Sequence, residues 1–523
     1  MIEKILNKKI YILYILPFLL GTLTVFSFQP FNFTFINFLI IPLFFLITIY
    51  VQKRSKNFYR KKPYLSNLFL VGYLFGVGYF LAGIHWISYS LTFDDQFKYL
   101  IPISFIGLPV FLGLFFGLGN LIVGSFLQNN FVSILLFSSS LSLMDYLRSK
   151  ILSGFPWNLW AYSWSNNPEI LQSLPLIGFF AFNLICITFF CSPLLLVFKN
   201  KKKNISLFIL FLVIFLSNYI YGSLLIKKNN ENLLNIHSNE KSIYIKIISP
   251  NLDLKFNLEN EDIRKNINKL IKYSDPDSKT KTLFVWPEGV FSGLEFNQIN
   301  EYKNLFKKAF SKNHLLLFGI NTLSTPERNY DLFNSLIVVN NNLEIKYQYN
   351  KQKLVPFGEF LPIEKLLSKI GLKKITEGHG SFLKGNKQKN FMFDKIEFLP
   401  LICYEIIFPK LSQISKTKNA IINISEDAWF GDSIGPYQHF SKAIFRAIEN
   451  NVFLIRSANK GISAFIDNKG VVKKSLGPSE TGAIEYKVPI INNNFLNYKI
   501  DLIFFVLLIT YVLIFILLRK KTK

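Results

Sequence analysis

The sequence predicts two fold classes in one chain: a polytopic α-helical membrane region, and a layered α/β domain set between its last two helices. Three observations carry this. Half of the 523 residues are hydrophobic, 56 of them Phe, and they gather into runs near the roughly 20 residues a helix needs to cross a hydrocarbon core. Lys and Arg cluster beside those runs, as they do at the cytoplasmic flanks of membrane proteins. From about residue 242 to 493 the rhythm changes to strand-like runs mixed with amphipathic helices, the pattern of a layered α/β domain.

Eight spans are expected: Ile10 to Phe26, Phe33 to Val51, Leu68 to Leu91, Leu100 to Phe126, Phe131 to Leu147, Ile170 to Phe198, Ile205 to Ile226 and, alone near the C-terminus, Ile500 to Leu518. The first lacks a small-x-small cleavage site before the next span, so it reads as retained rather than as a signal peptide. The expected domains are a seven-span region over 1–230, a catalytic domain over 242–493 and a last helix over 499–518. Lys4, Lys8 and Lys9 precede span one; Lys53, Arg54, Lys56, Arg60, Lys61 and Lys62 follow span two; Lys199, Lys201, Lys202 and Lys203 follow span six; Arg519, Lys520, Lys521 and Lys523 follow span eight. With eight spans all four clusters fall on one side, expected to be cytoplasmic, with both termini there and the α/β domain outside. Arg148, Lys150, Lys227 and Lys228 are mild exceptions. Formal charge is +26, but nucleic-acid binding needs a basic face on a soluble domain, and here the excess lies beside apolar segments. No nucleic-acid partner is expected. Three cysteines, two of them (Cys186 and Cys191) in an apolar run, give no disulfide framework.

Within the membrane half, Gly72, Gly76, Gly78 and Gly83 recur along span three, followed by His85 and Trp86; small residues so spaced let helices pack closely. Asp145 and Arg148 stand at helical spacing, able to pair or to sit at the interface. GFPWNLW, Gly154 to Trp160, carries two Trp suited to anchoring at headgroup level.

In the α/β region, strands are expected at Ile243 to Ile248, Thr282 to Trp286, Leu315 to Ile320, Ser335 to Val339, Glu344 to Tyr349, Phe393 to Ile402, Ala420 to Ile424, Val452 to Arg456, Ser463 to Ile466 and Ala483 to Val488. Pro400 suggests a bulge or an unpaired position. Helices are expected at Glu259 to Tyr273, Asn297 to Lys312 and Gln438 to Asn450.

Three stretches carry chemistry. LPLICYEIIF, Leu399 to Phe408, ends an apolar strand on Cys403, placing a thiol at a sheet edge. TLFVWPEG, Thr282 to Gly289, ends a strand before Pro287 and puts Glu288 where a general base would stand. YQYNKQKLVPFGEFLP, Tyr347 to Pro362, takes Lys351 and Lys353 out of another strand and leads to Glu359. Taken singly, a buried apolar cysteine, a loop glutamate and a surface lysine are the ordinary readings.

Together, Glu after a strand, Lys after a later strand and Cys after a third, in that order, resemble the nitrilase superfamily of carbon–nitrogen hydrolases. With the spans included, the chain resembles the apolipoprotein N-acyltransferase family of bacterial inner membranes over essentially its whole length. FSFQPF at Phe26 to Phe31, GFPW at Gly154 to Trp157, WPE at Trp286 to Glu288, LVPFGEFLP at Leu354 to Pro362 and ICYE at Ile402 to Glu405 carry the likeness. DAWFG at Asp427 to Gly431, QH at Gln438 and His439, RAIEN at Arg446 to Asn450 and NKGISAFID at Asn459 to Asp467 continue it.

The resemblance implies an αββα sandwich, with Glu288 as base, Lys351 as oxyanion stabiliser and Cys403 as nucleophile. It implies support from Glu359, Tyr404, Glu405 and Trp429, and prefers Lys351 to Lys353 because Lys351 lies eight positions before Glu359. It implies a cysteine thioester, charged by a phospholipid acyl donor and discharged onto the amino group of a diacylglyceryl apolipoprotein, at a periplasmic site on the bilayer, with no cofactor and no metal. His237, His314, His379 and His439 show no metal-ligand spacing. A monomer is expected. Two departures from the family pattern are Glu426, where Asn is usual, and Phe256, where Trp is frequent. Val290, Phe291, Leu294, Phe296, Phe357, Phe360, Leu361, Leu366, Trp429 and Phe430 are expected to face lipid from the site loops. A membrane-tethered amidase using water, and a scaffold with an inactive domain, are the alternatives.

Overall fold

The computed structural model describes residues 10–58, 63–199, 201–238, 242–255, 258–324, 332–362, 381–413, 417–491 and 500–519. Phe256, Leu366, His379 and the lysines at both chain ends fall outside them. The chain forms two units: residues 1–88, 99–224 and 496–523 in one, and 89–98 with 225–495 in the other.

The first unit is helical. Among the described residues, seven helices are long and apolar enough to cross a membrane: Thr34–Arg54, Tyr64–Thr92, Asp95–Gly124, Phe131–Arg148, Phe179–Val197, Lys201–Asn235 and Asp501–Arg519. The first expected span is a shorter apolar helix, Tyr11–Ser27. The sixth begins at Phe179 rather than Ile170, because Pro175 and Gly178 (φ 79°) interrupt the chain before it. The glycines do pack helices: a side chain at Gly76 would meet Gly113 Cα at 2.8 Å, and one at Gly78 would run into the carbonyl oxygen of Phe18. Asp145 and Arg148 pair at 2.9 Å, both buried. Arg148 also donates to the carbonyl oxygens of Phe155 (2.5 Å) and Asn158 (3.3 Å), and Asn183 donates to Asp145 at 3.0 Å. These bonds draw the 154–160 loop inward, so Trp157 and Trp160 are core residues of this unit rather than headgroup anchors. Trp157 packs on Trp86 at 4.8 Å and Trp160 on Tyr79 at 5.1 Å.

The second unit is an α/β sandwich. Its strands are β1 (Ser242–Ser249), β2 (Thr282–Val285), β3 (His314–Leu323), β4 (Leu332–Val339), β5 (Ile345–Asn350), β6 (Phe391–Phe393), β7 (Ile396–Ile402), β8 (Ala420–Glu426), β9 (Phe453–Asn459), β10 (Ser463–Ile466), β11 (Val472–Leu476) and β12 (Gly482–Pro489). They form two six-stranded sheets, ordered β12-β1-β2-β3-β4-β5 and β11-β10-β9-β8-β7-β6. The sheets meet through β1 with β9 and β10, and β4 with β7. In each, a parallel trio (β1, β2, β3 and β7, β8, β9) lies inside the sheet; β2, β8 and β9 are buried along their whole length, as strands covered on both faces are.

Helix α1 (Asn260–Ser274) buries Ile263, Ile267 and Leu270 at helical spacing against a core that includes Trp286, Phe306 and Phe318. Its acidic residues stand in the first turn and Lys272 in the last, matching the helix dipole. Val290, Phe291 and Leu294 belong to that same core, which corrects their expected exposure to lipid. Helix α2 (Gly435–Asn450) packs on β9 and on the turn after β7.

The expected strand from Phe393 to Ile402 is two strands, split by a turn at Asp394 and Lys395, both at positive φ. Pro400 makes no bulge: β7 keeps regular register with β8, and β6 pairs with β7 only as far as Phe398. The expected helix from Asn297 to Lys312 is three short pieces, Phe296–Ile299, Asn300–Tyr302 and Lys303–Ala309.

Candidate active site

Parallel strands deliver their next residues to one end of a sheet, where ligands gather in open α/β folds. Glu288 comes three residues after β2, Cys403 one after β7, and Lys351 one after β5. Lys351 stays in register because its N–H donates to the carbonyl oxygen of Asn334 on β4 at 2.9 Å. Cys403 has φ 47°, a left-handed conformation that costs a non-glycine residue about 1–3 kcal/mol and concentrates at functional sites. It opens a single 3₁₀ turn, Cys403–Ile407, which turns the chain sharply off the sheet.

Lys351 is buried between two carboxylates. Its Nζ lies 2.8 Å from Glu359 Oε1 and 3.5 Å from Glu288 Oε1. Asn334 Nδ2 donates to the same two oxygens, at 2.8 Å to Glu288 and 2.7 Å to Glu359. The remaining oxygens accept backbone N–H groups, Glu288 Oε2 from Glu426 at 3.0 Å and Glu359 Oε2 from Val355 at 2.8 Å. Every carboxylate oxygen thus has a donor, which a buried charge requires. Burial alone would pull the Lys351 ammonium down, but Glu288, Glu359 and the sulfur of Cys403 outweigh it and hold its pKa above the ordinary lysine value. For Cys403, burial pushes the thiol up, Glu288 adds to that and Lys351 opposes it. The arrangement holds a fixed cation beside a thiol that stays protonated until a base takes its proton.

Glu405 is a clamp. Its Oε1 accepts the backbone N–H groups of Gln352 (2.6 Å) and Lys353 (3.0 Å), its Oε2 that of Ile402 (2.8 Å), and Tyr349 donates to both oxygens. The chain after Lys351 is thereby tied to the chain before Cys403. Burial raises its pKa to about 7 against these donors. Lys353 stands apart from the carboxylates, its ammonium 4.9 Å over the ring of Phe408. Tyr404 is buried beside the cysteine with its ring edge-on to Phe408 at 5.1 Å. Trp429 is half-buried and meets Phe93 at 5.2 Å, and Phe93 lies in the stretch 89–98 that folds with this unit.

Glu426 sits at the end of β8 with its carboxylate against Gly289 and accepting from Asn459 Nδ2 at 2.9 Å. Burial raises its pKa, opposed by Asn459 and the N–H of Ala428. Of the residues expected to face lipid, Phe357 is exposed, Phe360 and Phe430 are half-buried and Leu361 is buried. Sequence reasoning missed Asn334. An asparagine inside a strand of mixed pattern carries no signal until β4 sets it between the two carboxylates.

Residues 20–192 match the family described as apolipoprotein N-acyltransferase N-terminal domain, and residues 255–490 match the carbon–nitrogen hydrolase family. An apolipoprotein N-acyltransferase of Rhodopseudomonas palustris is 30% identical, over 97% of this chain and 95% of its own. One from Rickettsia typhi is 31% identical, over 95% of this chain and 98% of its own. Among solved structures, Saccharomyces cerevisiae Nit3, a member of branch 10 of the nitrilase superfamily, matches with a TM-score of 0.34 at 18% identity, covering 48% of this chain and 90% of its own.

Proposed function

The chain belongs to the apolipoprotein N-acyltransferase family, and on that premise we propose that Cys403 carries an acyl chain from a phospholipid to the N-terminal amino group of a diacylglyceryl-cysteine. The protein is an acyltransferase of lipoprotein maturation, set in a membrane by its apolar helices. The observation that carries the residue roles is Lys351, buried between Glu288 and Glu359 beside Cys403.

In the first half-reaction Glu288 takes the thiol proton and the sulfur attacks the ester carbonyl, forming a C–S bond. Lys351 and the backbone N–H of Tyr404 hold the oxyanion. Collapse breaks the ester C–O bond, and the lysophospholipid oxygen leaves with the proton held by Glu288. In the second, the amine attacks the thioester, Glu288 takes its proton, and the C–S bond breaks to return the thiol. Glu359 keeps Lys351 paired while Glu288 is protonated. Glu405 and Tyr404 support the turn that presents Cys403, and Trp429 faces the substrate. The stretch 242–493 carries the chemistry, on the periplasmic side of the bacterial inner membrane, with both termini cytoplasmic and the chain acting as a monomer.

The test is acyl transfer from a labelled phospholipid to a diacylated lipopeptide by the full-length protein. Thioester and triacylated product should both form, and Cys403→Ala should form neither. Full activity in Cys403→Ala removes the mechanism, and release of free fatty acid without lipopeptide product replaces transfer by hydrolysis.

A further inference from the structure

Behind Cys403 lies a buried polar chain that the two half-reactions leave unused. Ile402 pairs with Ile424 across β7 and β8, and the end of β8 packs on the turn that Cys403 opens, so Ser425 lies near Cys403, where its hydroxyl is one of the groups that lower the thiol. That hydroxyl donates to Asp427 Oδ1 at 2.6 Å. Asp427 itself accepts from Arg456 Nη2 on Oδ2 at 2.8 Å, and His439 Nδ1 lies 3.0 Å from its Oδ1 and 3.0 Å from that same Nη2. Arg456 is fixed in turn by Asn423 and by the carbonyl oxygen of Ile462 at 3.2 Å, and Asn423 donates to the carbonyl oxygen of Leu401 on β7 at 3.1 Å. All these side chains are buried, Ser425 completely. Asp427 therefore keeps the Arg456 guanidinium with or without Ser425.

We propose that the Ser425 hydroxyl is a hydrogen-bond switch on the Cys403 sulfur: it donates to Asp427 while the cysteine is a thiol and turns to donate to the sulfur once the thiolate forms. This rests on Cys403 being the nucleophile. The proton leaving sulfur goes to the Glu288 carboxylate; Ser425 keeps its own proton and changes only its acceptor. The charged groups facing Cys403 are Glu288 after β2, Lys351 after β5 and Asp427 after β8. Two of the three are anionic, and Lys351 is already engaged by Glu359 at 2.8 Å, so an uncharged donor that can turn to the sulfur supplies what the fixed charges do not. In this switch Ser425 acts on the reacting atom itself; Asp427, faced by Arg456 from β9 and His439 from α2, acts through it as a positioning residue.

The experiment is alkylation of Cys403 by iodoacetamide against pH, read by mass spectrometry of the Cys403 peptide from the full-length protein in detergent. Ser425→Ala should move the profile to higher pH by about one unit or more, the size expected for a lost hydrogen bond to a charged group, and converge with wild type at alkaline pH. Asp427→Asn, which frees the hydroxyl and removes an anion, should move it to lower pH. A Ser425→Ala profile that superimposes on wild type overturns the proposal, and so does an upward shift in both variants, since a merely structural network would act alike through either. If Asp427→Asn does not fold, the Ser425→Ala profile decides. Because alkylation needs no acyl substrate, a shifted profile in a protein without transferase activity would uphold this switch and reject the reaction above.

Discussion

At the scale of single residues, the site turns on how one ammonium is shared. Lys351 sits nearer Glu359 than Glu288, so when Glu288 gains a proton Lys351 keeps a counter-ion and stays charged to meet the oxyanion. Loss of one oxyanion donor typically costs about 10²–10³ in rate. Lys351→Ala should lose about that much in both thioester formation and transfer. Its thioester yield should also need more alkaline pH, because Lys351 opposes the burial and the Glu288 charge that raise the Cys403 thiol. Glu288→Gln should mainly block thioester formation at neutral pH and recover toward high pH; removing the Glu288 charge takes away a cause that raises the thiol, so that recovery should start at lower pH than in Lys351→Ala. Thioester yield against pH for both variants checks this, and wild-type yield in Glu288→Gln at neutral pH would pass the base to Glu359 or Glu405. The grouping of Glu288, Lys351 and Cys403 was legible because each follows a strand and their order resembles a known family. The places of Asn334 and Ser425 were not, since their contacts exist only where neighbouring strands lie side by side.

At the scale of elements, sequence periodicity found ten of the eleven described strands, counting the β6–β7 pair once, and missed β11 outright. Val472–Leu476 is an exposed edge strand carrying Lys473 and Lys474, and such charges both guard an edge and hide its strand pattern. The β6–β7 turn was hidden for another reason: Asp394 and Lys395 take positive φ without a glycine to announce it. In the helical unit the glycine spacing was legible as close packing, but the burial of Trp157 and Trp160 was not, because it depends on Arg148 and Asp145 gathering the loop. Gly76→Leu should destabilise this unit by at least the ~1–3 kcal/mol of an overpacked core, since Gly113 Cα stands 2.8 Å from the added Cβ and backbone cannot swing aside. Gly107→Leu is the control, its nearest neighbour being Ile103 Cγ2 at 3.9 Å. Thermal unfolding in detergent should separate the two, and equal midpoints would remove the helix contact from the account.

At the scale of the whole molecule, parity of the apolar helices gives the side on which catalysis is expected. The basic clusters at 53–62, at 199–203 and at 519–523 are separated by four helices and then by two. All three therefore share a side whether or not Tyr11–Ser27 crosses. The stretch 242–493 lies one crossing away from the last two clusters and is expected outside the cytoplasm. A periplasm-active reporter fused after Asn350 should be active and one after Lys56 silent; the reverse would reject the topology and with it the proposed reaction. The N-terminus is a separate matter. Tyr11–Ser27 rises about 25 Å as a helix, a little short of the ~30 Å hydrocarbon core. Lys8 and Lys9 join the cytoplasmic clusters only if this helix crosses, and their charge favours that placement. A cysteine placed at position 3 in a chain lacking its other cysteines should then be shielded from a membrane-impermeant maleimide in intact spheroplasts and labelled after lysis. Labelling before lysis would leave seven crossings and a Tyr11–Ser27 helix that does not span, with Asn350 still outside.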